Sequence, residues 1–406
     1  MKNLLKNHLQ TLFVLYNVFI LIGGILMTKI MKAYTFRMYP TLSQKELLEK
    51  SFGTSRYIYN YFLGKNHNYI NKFQCVKELP ELVKEKEWMK EIDSCLLRTT
   101  IFNLEDSFKR YSKGLSNYPK FKSKQKSRKS YRTNNITSTY KGKIYNSIEI
   151  DLENKTIKLP KLKDVKIKGY RNLKQIKGRI INATIYKEAN KYYVSVCVEE
   201  ELTIPVITPI KAIGLDVGIK EILTTSDGIT LENRKYIQKY EDKIKGLNKW
   251  LASSTPGSKN RYKIIKKLQT VYKKLKNARK YYLHTISNEI VKENDIITCE
   301  KLKITKMTHK SPISKQIYDA SWYELIKQLE YKSKWKGKIF YQVDTYYPSS
   351  QLCHHCGYQE KNLKDLSIRN WKCKNCSNQN ERDINASINI LWEGIKMYFK
   401  NELQAN

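Results

Sequence analysis

Cys353-His354-His355-Cys356-Gly357, then Cys373-Lys374-Asn375-Cys376, then Arg382-Asp383-Ile384-Asn385-Ala386-Ser387-Ile388-Asn389-Ile390: this run decides how the rest of the chain is read. A Cys-x-x-Cys turn points two sulfurs to one side, and two such turns complete a closed tetrahedral Zn²⁺ site of the zinc-ribbon kind, with Cys353, Cys356, Cys373 and Cys376 as ligands. A module this small buries little core, so zinc would contribute roughly 10 to 16 kcal/mol of folding free energy. Four thiolates leave no open position, so the metal is structural and the chemistry lies elsewhere. His354 and His355 could each replace a sulfur and are read as bystanders in the turn. Disulfides, or four unrelated cysteines, suit neither the spacing nor a reducing compartment.

Working outward, the chain of 406 residues is long enough for two or three domains with cores of their own. It carries 76 Lys and Arg against 38 Asp and Glu, a formal charge of +38. AT-rich codon usage explains an excess of Lys over Arg, but not a two-fold excess of bases over acids. A polyanion explains that better, because neutralising phosphates releases counterions. The 30 tyrosines offer stacking faces for bases, although most belong to cores and strands. Of the eight cysteines, Cys75, Cys95, Cys197 and Cys299 are scattered, which is cytoplasmic rather than secreted usage.

From the start, residues 12–27 are almost entirely apolar and long enough to span a membrane. Met27 and Met31 are both possible starts, so a mis-assigned start is preferred to a membrane anchor. Residues 33–38 read as a strand ended by Pro40, after which Ser43 and Glu46 read as a capping box. Helical periodicity follows to about Tyr111, with Arg56, Tyr57 and Asn60 on the first helix as candidate nucleic-acid contacts. The stretch 118–132, including Lys120 and Lys122, interleaves aromatics with bases and reads as either a polyanion contact or a solvated linker. From Lys143 the period changes to two, and the strands 144–150, 156–159, 165–168, 180–187 and 192–199 could close a small barrel with the first strand. Beyond Pro205 and Pro209 come an apolar strand at 211–218, a hairpin, and two helices broken by Pro256 and Gly257. A second strand at 295–300, a helix at 322–331 and a strand at 338–343 lead into the ribbon.

Three acids hold comparable places: Asp216 and Glu300 on apolar strands, and Asp383 in the first turn of a helix expected to bury Ile384, Ile388, Leu391 and Ile395. Each has a dull explanation, as a turn residue, a solvated strand end or a helix cap. Together, the order strand acid, strand acid, helix acid is what a ribonuclease H-like nuclease needs to hold two Mg²⁺ ions roughly 4 Å apart. Hard cations choose carboxylates over thiols, which separates this cluster from the zinc.

The phrases Ala212-Ile213-Gly214-Leu215-Asp216-Val217-Gly218, Cys299-Glu300-Lys301-Leu302, Ser349-Ser350-Gln351-Leu352-Cys353 and Asp383 to Ile390 resemble TnpB, the OrfB protein of insertion sequences, related to compact type V CRISPR effectors. The resemblance spans Met31 to the last helix; Ser387 stands where Ala is more usual, and residues 1–30 have no counterpart. It implies an α+β multidomain fold. In that layout residues 1–30 are an apolar extension, 31–40 and 128–206 a wedge β-barrel, and 41–127 an inserted helical recognition domain. Residues 207–350 and 378–406 form a RuvC nuclease domain, and 351–377 the zinc ribbon. It further implies an RNA-guided DNA endonuclease with Asp216, Glu300 and Asp383 as catalytic acids on two Mg²⁺ ions. The partners would be a guide RNA from the element's own end and double-stranded target DNA, with no small-molecule cofactor. The resemblance carries over no nucleic-acid contacts; Arg382, beside Asp383, is a further candidate contact with Arg56, Tyr57, Asn60, Lys120 and Lys122. Two alternatives stand beside it: a guided or direct DNA-binding regulator without cutting, which an intact acid triad argues against, and a transposase acting in recombination. Covalent strand exchange would need a tyrosine with a His-x-His metal site, and no His-x-His occurs.

Overall fold

Pro40, which has no N–H to continue a ladder, ends the first strand, β1 (Ile25–Tyr39), and Thr41 opens the first helix, α1 (Leu42–Lys65). The computed structural model describes residues 25–66, 69–169, 176–205, 209–308, 312–365 and 367–405. β1 is longer than the expected strand, so the boundary placed at residue 31 falls inside it, with Ile30 buried. Most of the apolar stretch lies outside the described residues; among those described, no helix is long and apolar enough to cross a membrane. The capping box forms earlier than Ser43 and Glu46. The Gln44 amide donates to Thr41 Oγ1 at 3.3 Å and the Gln44 side chain accepts from Thr41 N at 3.0 Å, because the residue after Pro40 is the first free to cap.

Lys29–Glu201 forms one of two compact units. After α1 come α2 (Lys72–Glu85) and α3 (Ser94–Ser112), then β2 (Ser130–Asn134), β3 (Thr137–Tyr140), β4 (Lys143–Asn146) and β5 (Glu149–Asp151). They are followed by β6 (Thr156–Leu159), β7 (Lys163–Lys168), β8 (Arg179–Glu188) and β9 (Lys191–Pro205). Seven strands make one sheet in the order β2-β8-β9-β1-β7-β6-β5, and β3 with β4 makes a separate hairpin. The strand expected over 144–150 is thus two pieces, and part of the stretch read as a polyanion contact or a linker is β2. Among the described residues no ladder joins the edge strands β2 and β5; the stem of the hairpin links them instead, through Ser147 N to Ile136 O (3.0 Å) and Ile148 N to Asn135 Oδ1 (3.0 Å). Helices and sheet share one core: Phe36 of β1, Leu48, Phe52 and Phe62 of α1, and Val194 and Val196 of β9 belong to a single buried cluster.

The second unit holds the chain from Leu202 onward. Its five-stranded sheet is built from β10 (Ala212–Asp216), β11 (Glu221–Thr225), β12 (Thr230–Glu232), β13 (Ile296–Glu300) and β14 (Ile339–Val343). The order is β12-β11-β10-β13-β14: the first three strands form an antiparallel meander, and β10, β13 and β14 run parallel. Between β12 and β13 lie α4 (Tyr236–Ser253) and α5 (Lys259–Glu293); between β13 and β14 lie α6 (Ile304–Thr308), α7 (Ser314–Ala320) and α8 (Trp322–Trp335). The small hairpin β15 (Asn370–Lys372) and β16 (Gln379–Glu381) leads into the last helix, α9 (Arg382–Ala405).

Alternation along the central strands gives the sheet two unlike faces. Ile213, Leu215, Ile297 and Cys299 point to one side and join Leu283, Ile286, Ile290, Leu325 and Leu329 of α5 and α8 in a core. Gly214 and Thr298 point to the other side, where α9 lies. A Cβ at Gly214 would collide with the Ser387 carbonyl and stand 2.6 Å from the Leu391 amide, and one at Gly394 would overlap the Thr298 side chain. The closeness of this contact corrects the expected buried face of α9. Ala386, Ser387, Ile390, Gly394 and Tyr398 are buried, while Ile384, Ile388, Leu391 and Ile395 flank the contact half-exposed. Backbone can meet backbone only where side chains are small, so the largest apolar residues go to the sides.

Candidate active site and metal centre

The same alternation that turns Gly214 toward α9 turns Asp216 toward it, and Glu300 follows Thr298 in the same way. Asp216 and Glu300 are the last residues of adjacent parallel strands, next in register after the pair Leu215 and Cys299. Open sheets bind their ligands at such carboxyl ends. Asp383 sits in the first turn of α9, and the close helix packing brings it within electrostatic reach of Asp216. Burial pushes the Asp216 carboxyl well above the usual carboxylate range, and the negative charges of Glu300 and Asp383 push it further; Arg382 opposes them. Glu300 is also raised by burial, against a hydrogen bond from the Ser349 hydroxyl to its Oε1. A cluster of buried like charges is a place for cations.

Asp383 has a partner that the sequence does not announce. Arg369, next to β15, donates from Nη1 to both of its carboxylate oxygens, at 3.0 and 3.2 Å. Arg382 is corrected in the opposite sense: it is 5% exposed and donates to Asp365 O (2.5 Å), Ile368 O (3.4 Å) and Ser350 Oγ (3.4 Å). Its donors are taken inside the molecule, so it ties the cysteine module to α9 and does not reach for phosphate. Asn385 and Asn389 tighten the same joint. The Asn389 amide donates to Ser349 O (2.8 Å) and Leu352 O (2.7 Å), while that of Asn385 donates to Leu352 O (2.7 Å) and its Oδ1 accepts from His354 N (2.9 Å). The His354 ring Nδ1 also lies 3.1 Å from Asn385 Oδ1, which gives this histidine a role at the joint.

The two cysteine turns have matching geometry. Gly357 N bonds Cys353 O (2.8 Å) and Ser377 N bonds Cys373 O (2.9 Å), while Cys353 N bonds Tyr358 O and Cys373 N bonds Asn378 O. Cys353 and Cys376 sulfurs are 3.7 Å apart, Cys356 and Cys373 sulfurs 3.6 Å, and all four lie within 4.8 Å of one another. Thiolates about 2.3 Å from a tetrahedral centre stand about 3.8 Å apart. The donor set therefore fits a structural Zn²⁺, and Leu363 and Trp371 pack beside it as a core too small to stand alone. Among the described residues this is the one His, Cys, Asp or Glu set so tightly gathered; the three acids are spread more widely.

In the other unit, Asn60 is engaged with protein. It exchanges hydrogen bonds with the Lys122 backbone, at 2.9 Å from Nδ2 and 2.8 Å to Oδ1. This clamp fixes the segment around Lys122 onto α1, so that segment is not a solvated linker. The Lys122 ammonium lies 3.6 Å from the Tyr59 ring centroid, and burial pulls its pKa down to about 8. Tyr57 packs against Tyr61 and edge-on to Trp88. Arg56 lines a small cleft with Arg128 and Lys129, and Lys120 is exposed.

Three family models tile much of this chain. The helix-turn-helix domain of the OrfB/IS605 group matches residues 27–75, the probable transposase of the same group 195–311, and the Cas12f1-like TNB domain 322–390. Across these segments the chain is similar to the TnpB (OrfB) family. A Streptomyces pristinaespiralis protein, by name a candidate RNA-guided DNA endonuclease, is 28% identical over 380 residues, covering 91% of each chain. Escherichia coli K12 InsQ, named in the same way, is 29% identical over 390 residues, covering 90% of this chain and 93% of InsQ. Among solved structures, Cas12f1 in complex with a single guide RNA and target DNA aligns over 89% of this chain and 99% of its own, at 15% identity and a TM-score of 0.34.

Proposed function

We propose that the chain is an RNA-guided DNA endonuclease that hydrolyses phosphodiester bonds at Asp216, Glu300 and Asp383. The observation that carries this reading is the pair Asp216 and Glu300 at the carboxyl ends of neighbouring parallel strands, on the face α9 approaches closely enough to add Asp383. The order β12-β11-β10-β13-β14 supports a ribonuclease H-like, RuvC-type nuclease domain, with the cysteine module inserted before α9 as a zinc ribbon. The names of the two bacterial relatives support the guided activity.

Carboxylate oxygens suit hard divalent cations, and three acids with raised or mutually repelling charges fit Mg²⁺. Two such ions, when bound, activate a water and steady the leaving 3′ oxygen. The chain's own residues do the holding. Ser349 orients the Glu300 carboxylate, Arg369 holds Asp383 in place, and the Ser387 and Gly214 contact fixes the distance between helix and strand. The excess of Lys and Arg supplies phosphate contacts for two partners, a guide RNA from the element's own end and double-stranded target DNA.

Expressing the full chain with the DNA that flanks its gene and sequencing the RNA that co-purifies tests the guided part. A single discrete RNA, followed by Mg²⁺-dependent cutting at a site matching it, is expected; heterogeneous RNA would sink the guided reading. Asp216→Ala and Asp383→Ala should each reduce cutting to background while changing DNA affinity by no more than about three-fold, because phosphate contacts are spread over many bases. Loss of binding together with cutting would remove these acids from the active site.

A further inference from the structure

Helices α4 and α5 are joined by a short turn, and between them opens a cleft of about 610 Å³. Leu247 and Val271 form its buried floor. Trp250 stands on its wall with 58% of its surface exposed, ten residues along α4 from Tyr240, about 15 Å at the helical rise. Lys243, Lys267 and Lys274 line it, and no acid does. The nearby Glu241 is occupied by Lys245 and Lys315.

Gly246 is where the cleft can be filled by substitution. It lies inside α4 on the cleft lining, and a Cβ there would meet no atom within 4 Å. Neither packing nor backbone geometry asks for glycine, which is disfavoured inside a helix relative to alanine. The position faces open space.

We propose that the α4–α5 cleft is a docking groove for unpaired nucleotides of RNA, with a base against Trp250 and the Leu247 and Val271 floor and phosphates at Lys243, Lys267 and Lys274. A duplex offers lysines its phosphates but has no use for an apolar floor; an unpaired base uses both. The choice of RNA over DNA rests on the proposed function. An open apolar groove suits the partner that stays bound between encounters with a target, and that partner is the guide.

The test uses the full chain, a labelled oligouridine carrying thiouridine, a matching thiothymidine DNA, and an RNA duplex. Photocrosslinking followed by peptide mapping reports where each lands, and anisotropy reports affinity. The oligouridine is expected to crosslink to the α4 peptide containing Trp250. Gly246→Leu should fill the groove, leave Tm unchanged or higher because it improves the helix, and lower oligouridine affinity roughly 5- to 100-fold. Trp250→Phe should retain most of the affinity, and Trp250→Ala should not. Unchanged affinity in Gly246→Leu, or crosslinks elsewhere, overturns the groove. DNA or duplex crosslinking to Trp250 as efficiently as oligouridine overturns the assignment to unpaired RNA. Because Asp216→Ala leaves the groove intact, a crosslink without any cutting would sustain the groove and defeat the nuclease reading, and cutting without a crosslink would do the reverse.

Discussion

The two faces of the five-stranded sheet are built on opposite rules. Toward α5 and α8 the strands present Ile213, Leu215, Ile297 and Cys299, and helices stand off at the distance that large side chains set. Toward α9 they present Gly214 and Thr298, and the helix comes in until its own backbone is the contact. The first face stabilises; the second measures. The proposed nuclease needs three carboxylates from two strands and a helix to converge, and a helix held by long side chains would leave Asp383 several ångströms from its partners.

Matched substitutions on neighbouring residues give the largest expected effect. Leu215→Ala opens a cavity on the thick face and should cost about 2 to 5 kcal/mol of stability, yet the molecules that remain folded should still cut. Gly214→Val pushes α9 away on the thin face. Overpacking there costs about 1 to 3 kcal/mol, and misplacing a catalytic group by about 1 Å can cost 100-fold in rate. Single-turnover cleavage by folded protein, with the folded fraction measured by near-UV circular dichroism, separates the two. Equal cutting by both variants would mean that the faces differ in packing alone.

Much of this contrast is legible in the amino-acid sequence. Ile213-Gly214-Leu215-Asp216 and Ile297-Thr298-Cys299-Glu300 carry a period of two, which places each acid opposite the aliphatic residues. The cysteines are legible because each turn is local. Where sequence and structure part, the cause is packing between segments far apart in the chain. Periodicity assigns the buried face of α9 to its largest apolar residues, a rule that holds for side-chain packing and fails for backbone contact. Asn385, Asn389 and Arg382 look like surface polar residues until the segment that they hold, 17 to 40 residues earlier, is folded against them. Lysines around Lys122 read alike whether solvated or clamped, and nothing local marks Asn60 as the clamp.

An intermediate effect is expected at the proposed zinc site. Chelation, or Cys353→Ser, should release the ribbon, and with it the Ser349 to Leu352 segment that Asn389 and Asn385 bind and whose Ser349 orients Glu300. Hydrogen exchange should then show lost protection in the first turns of α9 and unchanged protection in α8, because the bonds of Arg382, Asn385 and Asn389 tie the ribbon to α9. Asn389→Ala should reproduce a weaker form of the same change at about 1 to 3 kcal/mol, mostly the cost of weakening the pairing of the buried Ser349 carbonyl, since Asn385 still donates to Leu352 O. Loss of protection on both faces at once would deny that they are independent.

The smallest effect concerns a lysine buried on the thick side. Lys332 of α8 donates to Ser287 Oγ (2.6 Å) and His284 O (3.1 Å) of α5, and Ser287 in turn meets Gln328, which bonds Glu324. Burial, with Lys336 nearby, pulls its pKa down from 10.5 to about 8. Like Asp216 it is driven toward its neutral form, but it faces only a helix joint. Below pH 8 both folded and unfolded chains hold the proton and the cost of burying the charge is constant. Between about pH 8 and 10.5 the unfolded chain binds more protons, so this lysine makes stability rise with pH. Lys332→Met should flatten that rise in urea titrations at pH 7.5, 8.5 and 9.5 (about one-unit steps across the window) and leave cutting at pH 7.5 unchanged (about equal to wild type). A buried charge on the thick face would then be shown to tune stability alone, while the buried charges on the thin face serve chemistry. A fall in cutting would show that strain on the thick face reaches the acids through the strands they share.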